Sequence, residues 1–263
     1  MFVSTNAGVS IYDGESGELL SVKTSSRGSF SDLDVSPSGR YLYVADFGGE
    51  SASGTPIEPS FIHRCDVITD EWQLQRSLKT VYEVRAVDDA RVISLEQNPH
   101  VDATLNLWIE DRAVLTELDQ VSGNHQSNME FNPRTALVYF GDNGVSPPSI
   151  DVFRVVGNEL VFDHDFRSIR APFVLSVDET HLYHGTTQRD ATKISSVIRQ
   201  FPETMTAEAG QLAFSPSRIY NAATGALIGE LPVEGSFFSM TPDGRHLWMF
   251  DYETPNVHHI EIR

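Results

Sequence analysis

SPSGRYLYVAD (36–46), NPRTALVYFGD (132–142), SVDETHLYHGT (176–186) and TPDGRHLWMFD (241–251) align without a gap over eleven residues, and AVDDARVISLE (86–96) fits the same frame more loosely. The clearest copies open on Ser-Pro-Ser-Gly or Thr-Pro-Asp-Gly and continue into a short apolar run. Proline presets one turn angle, and glycine relaxes into the left-handed region that a tight hairpin often demands. A turn-and-strand phrase recurring at this interval is how radially repeated sheets are written. The expected fold is all-β, a β-propeller with up to four antiparallel strands in each blade.

Working outward, the segments before the turns (FSDLDV, HQSNMEF, PFVLSV, GSFFSM) read as inner strands A. The segments after them (YLYVAD, LVYFGD, HLYHGT, HLWMFD) read as strands B. Strand B is almost continuously apolar, which suits a sheet covered on both faces by its neighbours. VSIYDGESGELLSVKT, TLNLWIEDRAVLTEL, SIDVFRVVGNELVFDHDF and RIYNAATGALIGEL each join two apolar runs through a turn rich in Asp, Glu, Asn or Gly, as a C–D hairpin should.

Strand B ends at Thr5, Asp46, Glu96, Asp142, Thr186 and Asp251, with spacings of 41, 50, 46, 44 and 65 residues. The first four suit a four-stranded blade. The last leaves two readings. Either one blade carries a long insertion near RDATKISSVIRQFPETMTAEAG, or an abbreviated extra blade lies there, with QLAFSPS (211–217) as its strand A and turn. Seven blades are favoured, and six stays open. The first blade then has strands B, C and D without A, and the last has A, B and C without D. This mismatch gives the expectation that Met1 is not the natural start and that an upstream strand or export signal precedes it.

The repeat runs through all 263 residues, so a single domain over 1–263 is expected. No stretch approaches the roughly 18–20 apolar residues that span a bilayer, and no signal peptide is visible. The lone cysteine, Cys65, excludes an intramolecular disulfide framework and a multi-thiolate metal site. It reads as a small buried hydrophobe on a strand shared with His63. The net charge is −18, from 37 acidic and 19 basic residues. That charge repels phosphate backbones and anionic membrane surfaces, so nucleic acid and membrane insertion are excluded as expected partners. A protein partner or a small neutral or cationic ligand remains compatible, and the expected state is a monomer.

Strand B runs from its turn towards the opposite face, so the strand ends should ring one mouth. Asp46, Glu96, Asp142 and Asp251 in that ring could converge on a divalent cation such as Ca²⁺ or Mg²⁺, or supply an acid–base pair. The plainer reading is that a short acceptor at a strand end caps the next turn. His125, just before a strand A, is the first histidine to test as a ligand or base. His181 and His246 share one repeat position, His184 reads as a core residue, and His258 and His259 face opposite sides of the last strand. Arg85, Arg167 and Arg170 are read near the starts of inner strands, where a guanidinium could pair with the ring carboxylates or grip an anionic ligand. Trp72, Trp108, Trp248, Tyr43, Tyr139 and Tyr183 recur with the strands as packing between blades. No G-x-S-x-G elbow, P-loop, G-x-G-x-x-G after a strand or H-E-x-x-H appears.

SPSGRYLYVADFGGESASG and TPDGRHLWMFDYETPNVHHIEI resemble the YVTN-type β-propellers, relatives of the seven-bladed lactonase and quinoprotein-dehydrogenase families. The resemblance is carried by turn chemistry and hydrophobic spacing. It departs from WD-repeat propellers, since neither Gly-His nor Trp-Asp occurs, and from the Asp-box, since Asp243 and Gly244 are adjacent. It implies fold rather than function. The resemblance implies a periplasmic or extracellular location if an export signal precedes Met1, and a cytoplasmic one otherwise. The leading expectation is a non-catalytic propeller that binds a protein partner or small ligand at one mouth. A lactonase-like hydrolase with a carboxylate-bound cation and a propeller subunit of a quinoprotein-type dehydrogenase are the alternatives.

Overall fold

The Ser36–Gly39 turn delivers the chain into Tyr41–Asp46, a strand whose last five residues are buried. Gly39 sits at φ 75°, the conformation for which its lack of a side chain is needed. The computed structural model describes residues 2–5, 8–24, 30–46, 48, 60–76, 80–97, 103–111, 114–122, 128–142, 147–169, 172–232, 237–241, 245–251 and 256–262.

Within these residues the strands form seven successive antiparallel sheets. The first joins β1 (Phe2–Thr5), β2 (Gly8–Tyr12) and β3 (Leu19–Thr24). The second joins β4 (Phe30–Val35), β5 (Tyr41–Asp46), β6 (Phe61–Asp66) and β7 (Glu71–Arg76). The third is β8 (Thr80–Ala86), β9 (Arg91–Gln97), β10 (Ala103–Asp111) and β11 (Val114–Ser122). The fourth is β12 (Asn128–Asn132), β13 (Leu137–Asp142), β14 (Ser149–Val156) and β15 (Glu159–Arg167). The fifth is β16 (Phe173–Leu175), β17 (His181–His184), β18 (Thr187–Asp190) and β19 (Lys193–Gln200). The sixth is β20 (Ala207–Ala209), β21 (Leu212–Phe214), β22 (Arg218–Asn221) and β23 (Leu227–Glu230), and the last joins β24 (Phe237–Met240), β25 (His246–Asp251) and β26 (Asn256–Glu261).

Seven sheets settle the count in favour of seven over six. The 65-residue interval holds no insertion: residues 187–200 are strands C and D of the fifth sheet, and the sixth sheet has all four strands. Two details differ from the sequence reading. QLAF belongs to strand B rather than strand A, because the Ala-Glu-Ala strand at 207–209 precedes it across a turn at Gly210, where φ is 60°. Strand B of the fifth sheet stops at His184, and Thr186 lies in the turn beyond.

The chain groups into two compact units, Met1–Asp13 with Glu18–Ala171, and Gly14–Gly17 with Pro172–Arg263. In the first unit, apolar cores fill the spaces between successive sheets. Val9 packs with Leu42 and Val44, Tyr43 and Ile62 with Val84 and Val92, and Leu105 and Leu107 with Met129 and Phe140. In the second unit Tyr183 packs with Ala213 and Tyr220, and Phe214 with Leu247 and Met249. Strand B is therefore apolar on both sides because both faces are covered. Tyr43, Tyr139 and Tyr183 are fully buried, as packing between sheets requires, while Trp72 stays partly exposed.

Outer strands break register at matching places. The pairing of β2 with β3 skips Leu20, that of β14 with β15 skips Asp163, that of β18 with β19 skips Ile198, and that of β22 with β23 skips Ile228. Such bulges twist an edge and blunt its capacity to pair with another strand.

Candidate functional site

The densest group of ionisable side chains lies on the inner strands of the second, third and fourth sheets. Residues two apart on a strand share a face, so Asp32 and Asp34 on β4, and Glu83 and Arg85 on β8, project together, joined by Glu130 from β12. Arg85 Nη1 donates to Asp32 Oδ2 at 2.6 Å, its Nε donates to Glu130 Oε2 at 3.3 Å, and Glu83 Oε2 lies 3.9 Å from its Nη2. The carboxylates also reach across to the backbone of the next inner strand. Asp32 Oδ2 accepts the Val84 N–H at 3.0 Å, Asp34 Oδ2 the Ala86 N–H at 2.8 Å, and Glu83 Oε2 the Met129 N–H at 2.8 Å. Amides on an inner edge have no strand to pair with, and these carboxylates satisfy them.

Burial dominates the protonation of this group. It pushes the Asp34 carboxyl up to about 6 against the pull of Arg85, and it raises Glu83 and Glu130 as well. Asp32, Glu83, Arg85 and Glu130 each keep 18–25% of their side-chain surface accessible, so solvent still reaches the recess and moderates the shifts.

Asp46 and Glu96 are buried and already engaged. Asp46 Oδ2 lies 3.0 Å from His63 Nε2, while its Oδ1 accepts the Gly48 N–H at 3.0 Å. His63 is itself ringed by Phe30, Phe61 and Trp72. Glu96 accepts from Ser94 Oγ at 2.8 Å, and Ser94 accepts in turn from Trp108 Nε1. Asp142 and Asp251 end β13 and β25, but their side chains, like all of His125 and Arg170, lie outside the described residues. Arg85 occupies the sixth position of β8 rather than its start, and it pairs with the inner-strand acids rather than with the strand-end carboxylates. Arg167 ends the outer strand β15 and bonds Asp165. Cys65 is buried, and burial pushes its thiol up to about 11.

In the second unit, His181 Nδ1 sits 3.0 and 3.1 Å from the two oxygens of the buried Glu208. His246 Nδ1 lies 2.9 Å from His259 Nε2, and the Trp248 ring stacks on His259 at 4.3 Å. Buried Arg64 bonds Glu110 and the Asp89 carbonyl, and buried Asp66 bonds Arg40. Among the described residues, the buried Asp, Glu, His and Arg side chains thus each bond another part of the protein. No group of three or more His, Cys, Asp or Glu among them is placed to hold a metal ion. No helix among them is long and apolar enough to cross a membrane.

The inner-strand acids escaped the sequence reading, although alternation in FSDLDV and in YEVRA was a usable signal for one polar face. What the sequence did not show is that faces 45 to 53 residues apart meet.

No family model matches the sequence, and no curated protein matches it. Among solved structures, the chain is similar to hydrazine synthase of Kuenenia stuttgartiensis, with 12% identity and a TM-score of 0.68 over 99% of this chain and 92% of that one. It is also similar to the β-propeller domain of Cps50 (Swd1) from Myceliophteria thermophila, with 12% identity and a TM-score of 0.70 over 98% and 92%. With its seven antiparallel sheets, the chain is a β-propeller.

Proposed function

We propose that this β-propeller is a non-catalytic scaffold that binds a protein partner through apolar side chains on its outer strands. One observation carries the reading. Outer strands in both units expose large apolar residues, often in adjacent pairs: Leu19 and Leu20 on β3, Val161 and Phe162 on β15, Val197 and Ile198 on β19, Leu227 and Ile228 on β23. Leu20 is 61% exposed and Phe162 56%, far beyond what a covered strand allows. Scattered single apolar residues are ordinary on surfaces, whereas contiguous exposed apolar patches mark interaction sites.

The bulges at Leu20, Ile198 and Ile228 disfavour strand addition at these edges, so recognition proceeds through side chains. The net charge of −18 favours a partner with a neutral or basic face. The engagement of Asp46, Glu96 and the inner acids in internal bonds supports a scaffold over a hydrolase.

The test compares proteins captured by the wild type with those captured by Val161→Glu/Phe162→Glu and Leu227→Glu/Ile228→Glu. A protein bound by the wild type and lost by either double variant supports the reading. Hydrolysis of a lactone or ester by the purified protein, abolished by Glu96→Gln, would overturn it.

A further inference from the structure

We propose that Arg85, Asp32, Asp34, Glu83 and Glu130 form a proton-dependent latch between inner strands β4, β8 and β12, closed while the carboxylates share a proton and loosened when all four are ionised. The proposal stands apart from the partner reading.

The geometry supplies the argument. Four carboxylates face one guanidinium, so full ionisation leaves three uncompensated negative charges in one recess. Exposed carboxylates would relieve this repulsion by swinging into water. These cannot do so without loss, because Asp32, Asp34 and Glu83 hold the Val84, Ala86 and Met129 amides. Releasing a carboxylate orphans an edge amide, so taking up a proton is the cheaper response.

Among the described residues, the cross-strand partners of these groups carry no charge. The cross-strand partners of Glu83 and Arg85 on β9 are Leu95 and Ile93. Asp32 and Asp34 face Ala45 and Tyr43 on β5, and Glu130 faces Tyr139 on β13. Burial pushes the Tyr43 phenol up to about 12, so it stays neutral and bonded to the Asp89 carbonyl at 3.0 Å.

Burial also carries Asp34 to about 6 and raises Glu83 above its ordinary range. Folded-state values above the unfolded ones mean that the folded protein holds protons the unfolded chain has released. The associated stability is present in full below the ordinary carboxylate range and is lost as pH rises through the raised folded values.

Hydrogen exchange at Val84, Ala86 and Met129 tests the latch. Protection factors, corrected for intrinsic exchange, should fall about tenfold between pH 6 and pH 9, the equivalent of one pKa unit. The Leu231 amide, bonded to the Ser217 carbonyl in the other unit, is the control for general charge repulsion and should change less. Glu83→Gln, which cannot ionise, should abolish most of the fall, and Glu130→Gln serves if Glu83→Gln does not fold. Equal protection at both pH values in the wild type, an equal fall at Leu231, or an undiminished fall in the Gln variant would overturn the proposal.

Discussion

His181 Nδ1 lies 3.0 Å from Glu208 Oε1 and ties the start of β17 to β20 of the following sheet. The Glu208 carbonyl also accepts the Val177 N–H at 3.0 Å, so one residue holds the preceding turn by side chain and backbone together. The Glu208 carboxylate raises the His181 pKa against the opposing effect of burial.

A raised histidine value fixes the sign of a pH effect. The stabilisation by this pair is complete below the unfolded value of roughly 6.5 and disappears as pH rises through the folded value. An NMR titration should place His181 above an ordinary histidine, and Glu208→Gln should return it towards that range. Titration of His181 at or below the ordinary value would contradict the pairing.

Glu179 occupies the repeat position held by Gly39 and adopts φ 63°. A non-glycine residue pays roughly 1–2 kcal/mol for this conformation, partly offset by the backbone freedom that glycine brings to the unfolded chain. Glu179→Gly should therefore raise the unfolding free energy by up to about 1 kcal/mol. The reverse change, Gly39→Ala, meets no atom within 4 Å and should destabilise through the backbone alone. Urea denaturation of both variants checks the pair, and a destabilised Glu179→Gly would contradict the conformational argument.

Asp46 accepts from Gly48 and faces His63 in a buried setting, so truncation leaves two polar groups without their acceptor. Asp46→Ala should cost about 3 kcal/mol of stability. A loss below about 0.5 kcal/mol, the usual range for surface substitutions, would show that the pair is unimportant.

Burial holds the Cys65 thiol near 11, so at pH 8 only about one molecule in a thousand carries the reactive thiolate. A disulfide reagent should label the native protein slowly and the urea-unfolded protein at the rate of a free thiol. Rapid labelling of the native state would mean that β6 is not covered as described.

Much of the architecture was legible because turn chemistry and strand burial are local. Pro37, Gly39 and the apolar run from Tyr41 to Asp46 announce a hairpin without help from distant residues, and the same phrase locates β13 and β25. The sixth sheet is harder to read: Ala207–Ala209 is too short to show periodicity, so QLAF reads as strand A although it lies in strand B. The candidate site was less legible still. That Asp34 meets the Ala86 amide depends on two inner strands lying side by side, a relation between residues 52 apart that no local pattern encodes. His63 was read beside Cys65 on β6, whereas its partner Asp46 ends the adjacent strand.

The most direct measurement is the affinity of a captured partner for the wild type and for Val161→Glu/Phe162→Glu, determined on folded proteins of matched stability. Recognition through the outer strands predicts binding at least tenfold weaker for the variant. Unchanged affinity, combined with loss of binding on substitution at the strand-end carboxylates Asp142 or Asp251, would contradict the account.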